Sequence, residues 1–330
     1  MKKLAVIALG GNALLKPGEK GTISELERNA AETCRYFLPL IKNDWQIVLT
    51  HGNGPQVGST LIQHESAKDL VPAMPLDVCV SETQGSLGYI LQQAMLNELR
   101  RNKIERYVVT MITQVVVDSK DKAFKEPTKP IGPFYTKDQA ESLQKEKKWT
   151  MIEDSGRGFR RVVPSPTPVK VIQRLMIKEL AQSGHIVIAA GGGGIPIYKK
   201  DDNDYEGIEA VVDKDMASAI IAIEIKSSVF IILTTVPKVY INFGKPNQQG
   251  IVRMTVSQAR KYLDENQFGT GSMKPKVESA VNYLAKIDGK VIITSAENLA
   301  EAMEGRSGTT IISDIKKRED AGNLLLDFSR

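Results

Sequence analysis

The sequence predicts an α/β fold with a mainly parallel sheet, because short apolar runs alternate with amphipathic helical stretches along most of its 330 residues. The apolar runs are rich in β-branched residues and have strand lengths: Leu4–Leu9, Ile47–Thr50, Tyr107–Val117, Ile186–Ala190, Val229–Leu233 and Val291–Thr294. The helical patterns lie between them: Ser24–Lys42, Glu82–Asn102, Pro168–Ser183, Asp213–Ile225, Ser257–Asn266 and Pro275–Lys286. Strands that are apolar on both faces and separated by helices are typical of a parallel sheet covered by helices on both sides.

The first strand, Leu4–Leu9, follows a short basic N-terminus and superficially resembles a signal peptide. Its apolar run ends at Gly10-Gly11-Asn12, and periodic structure continues directly behind it, which favours a strand. No stretch approaches the roughly 18 apolar residues of a spanning helix, and Glu224 and Lys226 interrupt the best candidate. We therefore expect a soluble protein without a membrane partner.

Charge and cysteine content point to a cytoplasmic protein that does not bind nucleic acid. The net charge of +5 arises from 44 basic and 39 acidic residues, and the basic runs Lys145–Lys148 and Lys316–Glu319 both contain acids. Such mixed runs are typical of solvated surfaces. Cys34 and Cys79 are too few for a disulfide framework and have no CxxC spacing, which favours a reducing compartment.

The segment Ser119–Pro168 interrupts the alternation of strands and helices. It is rich in proline and charged residues, and about fifty residues is long for a loop in a compact domain. Aromatic residues at Phe134, Tyr135, Trp149 and Phe159 argue against a disordered excursion, which is the alternative. We expect an insertion or a lid.

Glycine-rich turns follow three of the predicted strands: Gly10-Gly11-Asn12, Gly52-Asn53-Gly54 and Gly191-Gly192-Gly193-Gly194. Ligands of open α/β sheets bind outside the carboxyl ends of the strands. Glycines there let backbone N–H groups approach an anion, and a helix N-terminus adds partial positive charge. The asparagine amides donate to oxygen without adding charge, so the three turns predict a binding site for an anion.

Common nucleotide and metal signatures are absent from the sequence. It contains no Walker A loop, no GxGxxG after a strand and no protein-kinase motif. His51, His64 and His185 show neither zinc-site spacing nor proximity to a nucleophile motif. We expect no protein-bound metal; a metal ion would be Mg²⁺ carried by nucleotide phosphates.

Two lysines stand at predicted helix starts. Lys214 lies between Asp213 and Asp215, either of which is a good helix cap and holds the lysine charged. Lys276 follows Pro275, which suits a first helical turn. Each lysine on its own could equally be a solvated residue on a capped helix.

Ten segments, in order along nearly the whole chain, resemble the carbamate kinases. They are Ala8–Leu15, Thr50–Gly58, Pro75–Val80, Glu82–Gly85, Pro127–Tyr135, Gly156–Pro166, Ala190–Pro196, Glu209–Asp215, Asn242–Pro246 and Gly271–Val277. This match is far more specific than any single motif.

The resemblance implies the amino-acid-kinase fold, a three-layer α/β/α sandwich formed by residues 1–330 as one domain. The N-terminal half would hold carbamate, the C-terminal half from about residue 186 would hold the nucleotide, and residues 119–168 would form a protruding, lid-like subdomain. The implied reaction is ATP + carbamate ⇌ ADP + carbamoyl phosphate with Mg²⁺, in a homodimer. Such enzymes usually make ATP during fermentative arginine breakdown.

Site residues are carried over where this sequence matches the family, apart from Tyr240, which lies two residues before the matching segment Asn242–Pro246. Those implied to cradle carbamate and the transferring phosphoryl group are Gly10, Gly11, Asn12, Gly52, Asn53 and Gly54. The implied catalytic residues are Lys129, Lys214, Asp215 and Lys276, with Asp215 orienting the lysines. The implied nucleotide-binding residues are Gly191, Gly192, Lys214, Tyr240, Met273, Pro275 and Lys276.

Three positions depart from the family pattern. Lys274 stands where glycine is common, Pro237 lies in a stretch that often carries an acidic residue, and Lys122 replaces a frequent proline. The first two border the nucleotide side, so we expect them to affect nucleotide affinity and not the reaction class.

Two other functions are compatible with parts of the sequence. A kinase of the same fold for another acyl phosphate or a nucleoside monophosphate would keep the lysines, but the match at Pro127–Tyr135 counts against it. A non-catalytic nucleotide-binding regulator would not need Lys214, Asp215 and Lys276 together.

Overall fold

An eight-stranded sheet forms the centre of the computed structural model, which describes residues 3–10, 13–154, 156–269 and 272–314. Its strands are β1 (Leu4–Leu9), β2 (Gln46–His51), β3 (Val108–Thr110), β9 (Ile186–Ile188), β12 (Val229–Thr234), β15 (Arg253–Thr255), β16 (Lys290–Ser295) and β17 (Thr309–Ile312). They lie in the order β15-β17-β16-β12-β1-β2-β9-β3. The six strands from β16 to β3 are parallel, and β17 pairs antiparallel with β16, so the prediction of a mainly parallel sheet is confirmed.

Helices cover both faces of this sheet. One face packs against α1 (Ile23–Arg35), α2 (Leu38–Lys42), α4 (Leu76–Arg101) and α10 (Leu299–Met303). The other packs against α6 (Arg174–Gln182), α7 (Lys214–Glu224), α8 (Val256–Asp264) and α9 (Met273–Leu284). Alternate strand side chains enter the two layers: Ile7 and Leu9 face the first, Val6 and Ala8 the second. The predicted three-layer sandwich is therefore confirmed.

Two smaller sheets flank the main one. The first has the order β11-β10-β4-β8 and is formed by β4 (Gln114–Val117), β8 (Pro168–Val171), β10 (Ile195–Lys199) and β11 (Tyr205–Gly207). The second is a hairpin of β13 (Val239–Ile241) and β14 (Gln249–Ile251). None of the helices within the described ranges is long and apolar enough to cross a membrane.

The segment that interrupts the alternation folds as a small antiparallel sheet with one helix. Its elements are β5 (Lys129–Tyr135), α5 (Lys137–Lys147), β6 (Met151–Glu153) and β7 (Phe159–Val163), with strand order β5-β7-β6. Ile131 and Val163 pack against Val57 and Leu61 of α3 (Gly54–Ala67). The two backbones approach so closely that a Cβ at Gly58 would lie 2.1 Å from the Gly132 Cα. We name β5, β6 and β7 the protruding sheet.

The predicted strand Tyr107–Val117 is two strands that belong to different sheets. β3 ends at Thr110 on the edge of the main sheet, and β4 begins at Gln114 in the second sheet. Between them, the backbone N–H and C=O of Thr113 hydrogen-bond to the side chain of Gln84. Apolar periodicity continues through the turn, because both strands are half-buried, and so conceals the break.

Two predicted helices are also divided. The pattern Pro168–Ser183 begins as strand β8, and its helix starts only at Arg174. The pattern Ser24–Lys42 forms α1 and α2, with Pro39 in the first turn of α2. Proline lacks the N–H that a continuous helix would need at this point, so the helix restarts there.

Candidate active site at the carboxyl ends of the strands

The turns that follow β1 and β2 lie where the parallel strands end. A Cβ at Gly10 would lie 2.7 Å from the carbonyl oxygen of Leu233, at the end of the neighbouring strand β12. Only glycine fits such a close approach of two backbones. Gly11 and Asn12, which the sequence places in the same turn, lie outside the described residues.

A buried carboxylate joins two lysines at this edge of the sheet. Asp215 in the first turn of α7 accepts from Lys214 Nζ at 2.5 Å and from Lys276 Nζ at 2.9 Å. Lys276 lies in the first turn of α9, as predicted, so two helix N-termini meet at one carboxylate. Asp215 is 3% exposed. Two positive charges are thus held side by side with little access to bulk water.

The charges of this cluster shift one another's pKa values. Burial alone would raise the pKa of Asp215, but the ammonium groups of Lys214 and Lys276 outweigh burial and hold this pKa below its usual value. Burial would lower the pKa of Lys276, but Asp215 outweighs it and the pKa is raised. Burial is the largest cause that lowers the pKa of Lys214. The positive charge of Lys276 lowers it further, and together they outweigh the raising effect of Asp215. An anionic ligand between the lysines would favour the charged form of both.

Lys129 reaches the same cluster from the protruding sheet. Its Nζ donates to Asp213 Oδ2 at 2.6 Å, although the two residues are 84 positions apart. The carbonyl oxygen of Pro130 lies 3.8 Å from where a Cβ on Gly54 would be, so β5 passes beside the N-terminus of α3. Three lysines against two aspartates leave one excess positive charge for an anion to neutralise.

The turn after β2 lies over Lys214. A Cβ at Gly52 would be 3.4 Å from the Lys214 Cδ. Asn53 precedes α3, and its amide donates to the Thr83 hydroxyl at 2.8 Å, which fixes the turn against α4. The first-turn N–H groups of α3 have no partner within the helix and add to the positive potential there.

Two buried hydroxyl groups hold the backbone of Lys214 in place. Ser218 Oγ donates to the carbonyl oxygen of Lys214 at 2.5 Å, and the Thr50 hydroxyl lies 2.6 Å from Ser218 Oγ. Both hydroxyl residues are fully buried. Sequence reasoning missed this pair, because a serine and a threonine in separate apolar elements carry no pattern that distinguishes them from ordinary core residues.

The glycine turn Gly191–Gly194 lies against the substrate-side turn. A Cβ at Gly192 would be 2.2 Å from the Asn53 Nδ2, and one at Gly191 would be 2.4 Å from the His51 Nε2. The Gln84 amide donates to the carbonyl oxygen of Gly191 at 3.1 Å. The structure therefore brings Gly191 and Gly192 next to predicted carbamate-binding residues, and their predicted contact with nucleotide stays a prediction.

The other predicted nucleotide-binding residues lie on the C-terminal side. Tyr240 is in the β13–β14 hairpin, with its ring 6.0 Å from that of Phe243. Met273 and Pro275 are in the first turn of α9, beside Lys276. In this aromatic pair Phe243 is exposed and Tyr240 is half-buried, and such rings offer a face on which a purine can stack.

The three histidines pack against other groups of the fold. Burial lowers the pKa of His51 to about 4, so the ring is neutral, and its Nδ1 lies 3.1 Å from the Gly52 carbonyl oxygen. His64 pairs with Glu82 on the surface, and His185 packs edge-on against Tyr107. No group of three His, Cys, Asp or Glu side chains that could hold a metal occurs within the described ranges.

Comparisons with known proteins agree with this architecture. The sequence profile of the amino acid kinase family matches residues 3–295. A carbamate kinase of Thermococcus kodakarensis is 44% identical over 315 residues, covering 94% of this chain and 100% of that protein. Two structures of carbamate kinase from Giardia lamblia are similar, each at 38% identity and covering 95% of this chain and 99% of theirs. The one bound to citric acid has a TM-score of 0.91, and the one bound to AMP-PNP a TM-score of 0.87. The family predicted from the motifs is thereby confirmed: the chain belongs to the amino acid kinase family.

Proposed function

We propose that this protein is a carbamate kinase, which interconverts ATP and carbamate with ADP and carbamoyl phosphate. The observation that carries the proposal is the buried Asp215 shared by Lys214 and Lys276, with Lys129 delivered beside them from the protruding sheet. The similarity to carbamate kinases over almost the whole chain supports the same substrate. The AMP-PNP complex of the Giardia lamblia enzyme supports ATP as the phosphoryl donor.

Phosphoryl transfer depends on positioning and on neutralising the charge of the transferring group. Carbamate is already an anionic nucleophile, so the reaction needs no general base, and a site without a catalytic histidine suits it. In this proposal, two turns bind the carbamate. The first consists of Gly10, Gly11 and Asn12, and the second of Gly52–Gly54. Lys214 and Lys276 bridge the phosphates and hold the charge that develops during transfer.

The nucleotide would lie on the C-terminal side, against Tyr240, Met273 and Pro275, with Gly191 and Gly192 lining the phosphate end. Mg²⁺ would arrive with the nucleotide phosphates and neutralise part of their charge. The residues present fit this arrangement, because both carboxylates of the cluster are already engaged by lysines. Pro237 and Lys274 would tune nucleotide affinity.

Activity on candidate acceptors tests the reaction class. With Mg²⁺, ADP and carbamoyl phosphate, the purified protein should produce ATP, whereas acetylglutamate, aspartate and UMP should not be phosphorylated by ATP. Turnover of one of these acceptors without ATP synthesis from carbamoyl phosphate would reassign the enzyme within the fold. Absence of any turnover, with intact ADP binding, would favour a non-catalytic regulator.

Replacement of Lys129 tests the role of the protruding sheet, which we propose to act as a lid over a labile substrate. Lys129→Ala should lower carbamoyl phosphate turnover about tenfold or more, because one charge-stabilising donor is lost. The Kd for ADP should stay nearly unchanged, since Lys129 approaches from the carbamate side. Lys145→Ala, an exposed lysine of the same segment, is the matched control and should have no measurable effect. Unchanged kinetics in Lys129→Ala would exclude the lid role, and a lost ADP affinity would place Lys129 in the other half of the site.

We also propose a cytoplasmic homodimer that makes ATP during arginine catabolism. Both cysteines are free and buried, which suits a reducing compartment.

Large apolar side chains of α1 and α4 are exposed, namely Ile23, Tyr89 and Leu96, with Tyr89 62% accessible, and such a face suits a protein interface. Light scattering that finds only a 36.3 kDa monomer at micromolar concentration would contradict the dimer. Unaltered growth on arginine in a strain that lacks the gene would contradict the pathway.

A further inference from the structure

Asp213 uses its two carboxylate oxygens for two different elements. Oδ1 accepts from the backbone N–H groups of Asp215 and Met216 at 2.9 and 3.3 Å and thereby caps α7. Oδ2 accepts from Lys129 Nζ at 2.6 Å. One side chain thus joins the first turn of α7 to β5 of the protruding sheet.

The ammonium group of Lys129 keeps hydrogen-bond donors that a ligand can use. Within the described ranges, Asp213 is the one carboxylate that lies within 4.0 Å of Lys129 Nζ. An ammonium group has three N–H donors, so two remain when one is given to Asp213. The Lys129 side chain is 26% exposed, so it is partly open to the surroundings.

Each of the two aspartates that flank Lys214 forms an ion pair with a lysine from another element. Asp215 receives Lys276 from α9, and Asp213 receives Lys129 from β5. Burial alone would raise the pKa of Asp213, but Lys129, followed by Lys214 and Lys276, holds this pKa below its usual range. Asp213 is therefore ionised at neutral pH, as a partner for a cation must be.

We propose that Asp213 is a positioning residue, which fixes Lys129 of the protruding sheet on the N-terminus of α7 so that lysines enclose the transferring phosphoryl group from both sides. The inference rests on the proposed role of Lys129 in carbamoyl phosphate turnover. In this inference, Asp213 does not contact the substrate and acts on it only through Lys129.

A fixed anchor matters here because the lysine is long and its supporting sheet is small. A lysine side chain has high rotamer entropy, which a free Lys129 would lose when it meets its ligand. The apolar contact of Ile131 and Val163 with α3 places the strand but does not orient the end of the lysine side chain. The ion pair with a capped aspartate supplies that orientation before the ligand arrives.

A double-mutant cycle separates this role from helix capping. Asp213→Asn keeps a side-chain oxygen that caps helices well but removes the charge that holds Lys129. We expect it to lower kcat/KM for carbamoyl phosphate about tenfold, close to the loss in Lys129→Ala. In the Lys129→Ala background the same change should cost less than about threefold, because the partner is already gone. The melting temperature of each variant is measured alongside, since a lost cap lowers stability in either background.

Three results would overturn the inference. Full activity in Asp213→Asn means that the carboxylate does not position Lys129, and the proposed function then still stands. An equal loss in both backgrounds assigns Asp213 to the helix cap alone. A silent Lys129→Ala removes the proposed role of Lys129, and this inference with it. Should Asp213→Asn fail to fold, Asp213→Ser, which also caps helices well, is taken through the same cycle with the same expectations.

Discussion

Replacing Lys276 with methionine should lower kcat by roughly two to three orders of magnitude, the usual loss when one preorganised charge-stabilising donor is removed. Lys276 Nζ lies 2.9 Å from Asp215 Oδ2 and its side chain is only 11% exposed, so water cannot take its place easily. Asp215 raises its pKa, which keeps the ammonium charged throughout the working pH range. Methionine preserves the length and apolar stem of the side chain and removes only the charge.

The control for this change lies two residues away. Lys274→Gly restores the residue common in the family, and on a helix the two side chains point in different directions. We expect it to act mainly on the KM for nucleotide and to change kcat far less than Lys276→Met does. Steady-state kinetics with both substrates varied measures the two effects. A larger loss of kcat in Lys274→Gly than in Lys276→Met would show that the wrong lysine has been assigned.

The main sheet could be predicted because its strands are apolar on both faces and therefore stand out as continuous runs. β1 matches its predicted range of Leu4–Leu9, and β12 extends the predicted run by one residue. Helix α3 was not predicted, because it begins with Gly54-Pro55 and contains Gly58, which are typical of a turn. Its Gly58 is needed for the close approach of Gly132, a tertiary contact that leaves no periodic signal.

The candidate site could be predicted only where its residues are close together in the sequence. Lys214 and Asp215 are neighbours in sequence, and the pattern that begins at Asp213 already predicts that both lie at the start of a helix. The contact between Lys129 and Asp213 joins two elements 84 residues apart, so no local pattern indicates it. The hydroxyl pair of Thr50 and Ser218 is separated by 168 residues and was likewise invisible. Resemblance to a family identified Lys129 as a site residue, but only the fold shows what holds it.

Replacing Asp215 with asparagine should lower the free energy of unfolding by about 3–5 kcal/mol, since removing one member of a buried ion pair leaves uncompensated charge behind. Here two ammonium groups, each on a side chain that is 11% exposed, would lose the carboxylate that hydrogen-bonds to both of them. Asp44→Asn is the matched control, because Asp44 pairs with Arg106 while its own side chain is 94% exposed. That exposed pair should contribute less than about 1 kcal/mol. Urea unfolding at neutral pH measures both variants.

The pH dependence and a compensating variant make the Asp215 prediction specific to charge. The pKa of Asp215 is lower in the folded protein than its ordinary 3.8, so its stabilisation is fully present above that value and is lost as the pH falls towards the folded pKa. The difference between wild type and Asp215→Asn should therefore be constant from pH 7 to about 5 and shrink only below about 3.9.

Replacing the whole triad, as Asp215→Leu with Lys214→Met and Lys276→Met, should recover most of the stability while abolishing activity, because buried ion pairs are often replaceable by apolar side chains. A triple variant no more stable than Asp215→Asn would mean that packing around Asp215, and not the unpaired lysine charge, accounts for the loss.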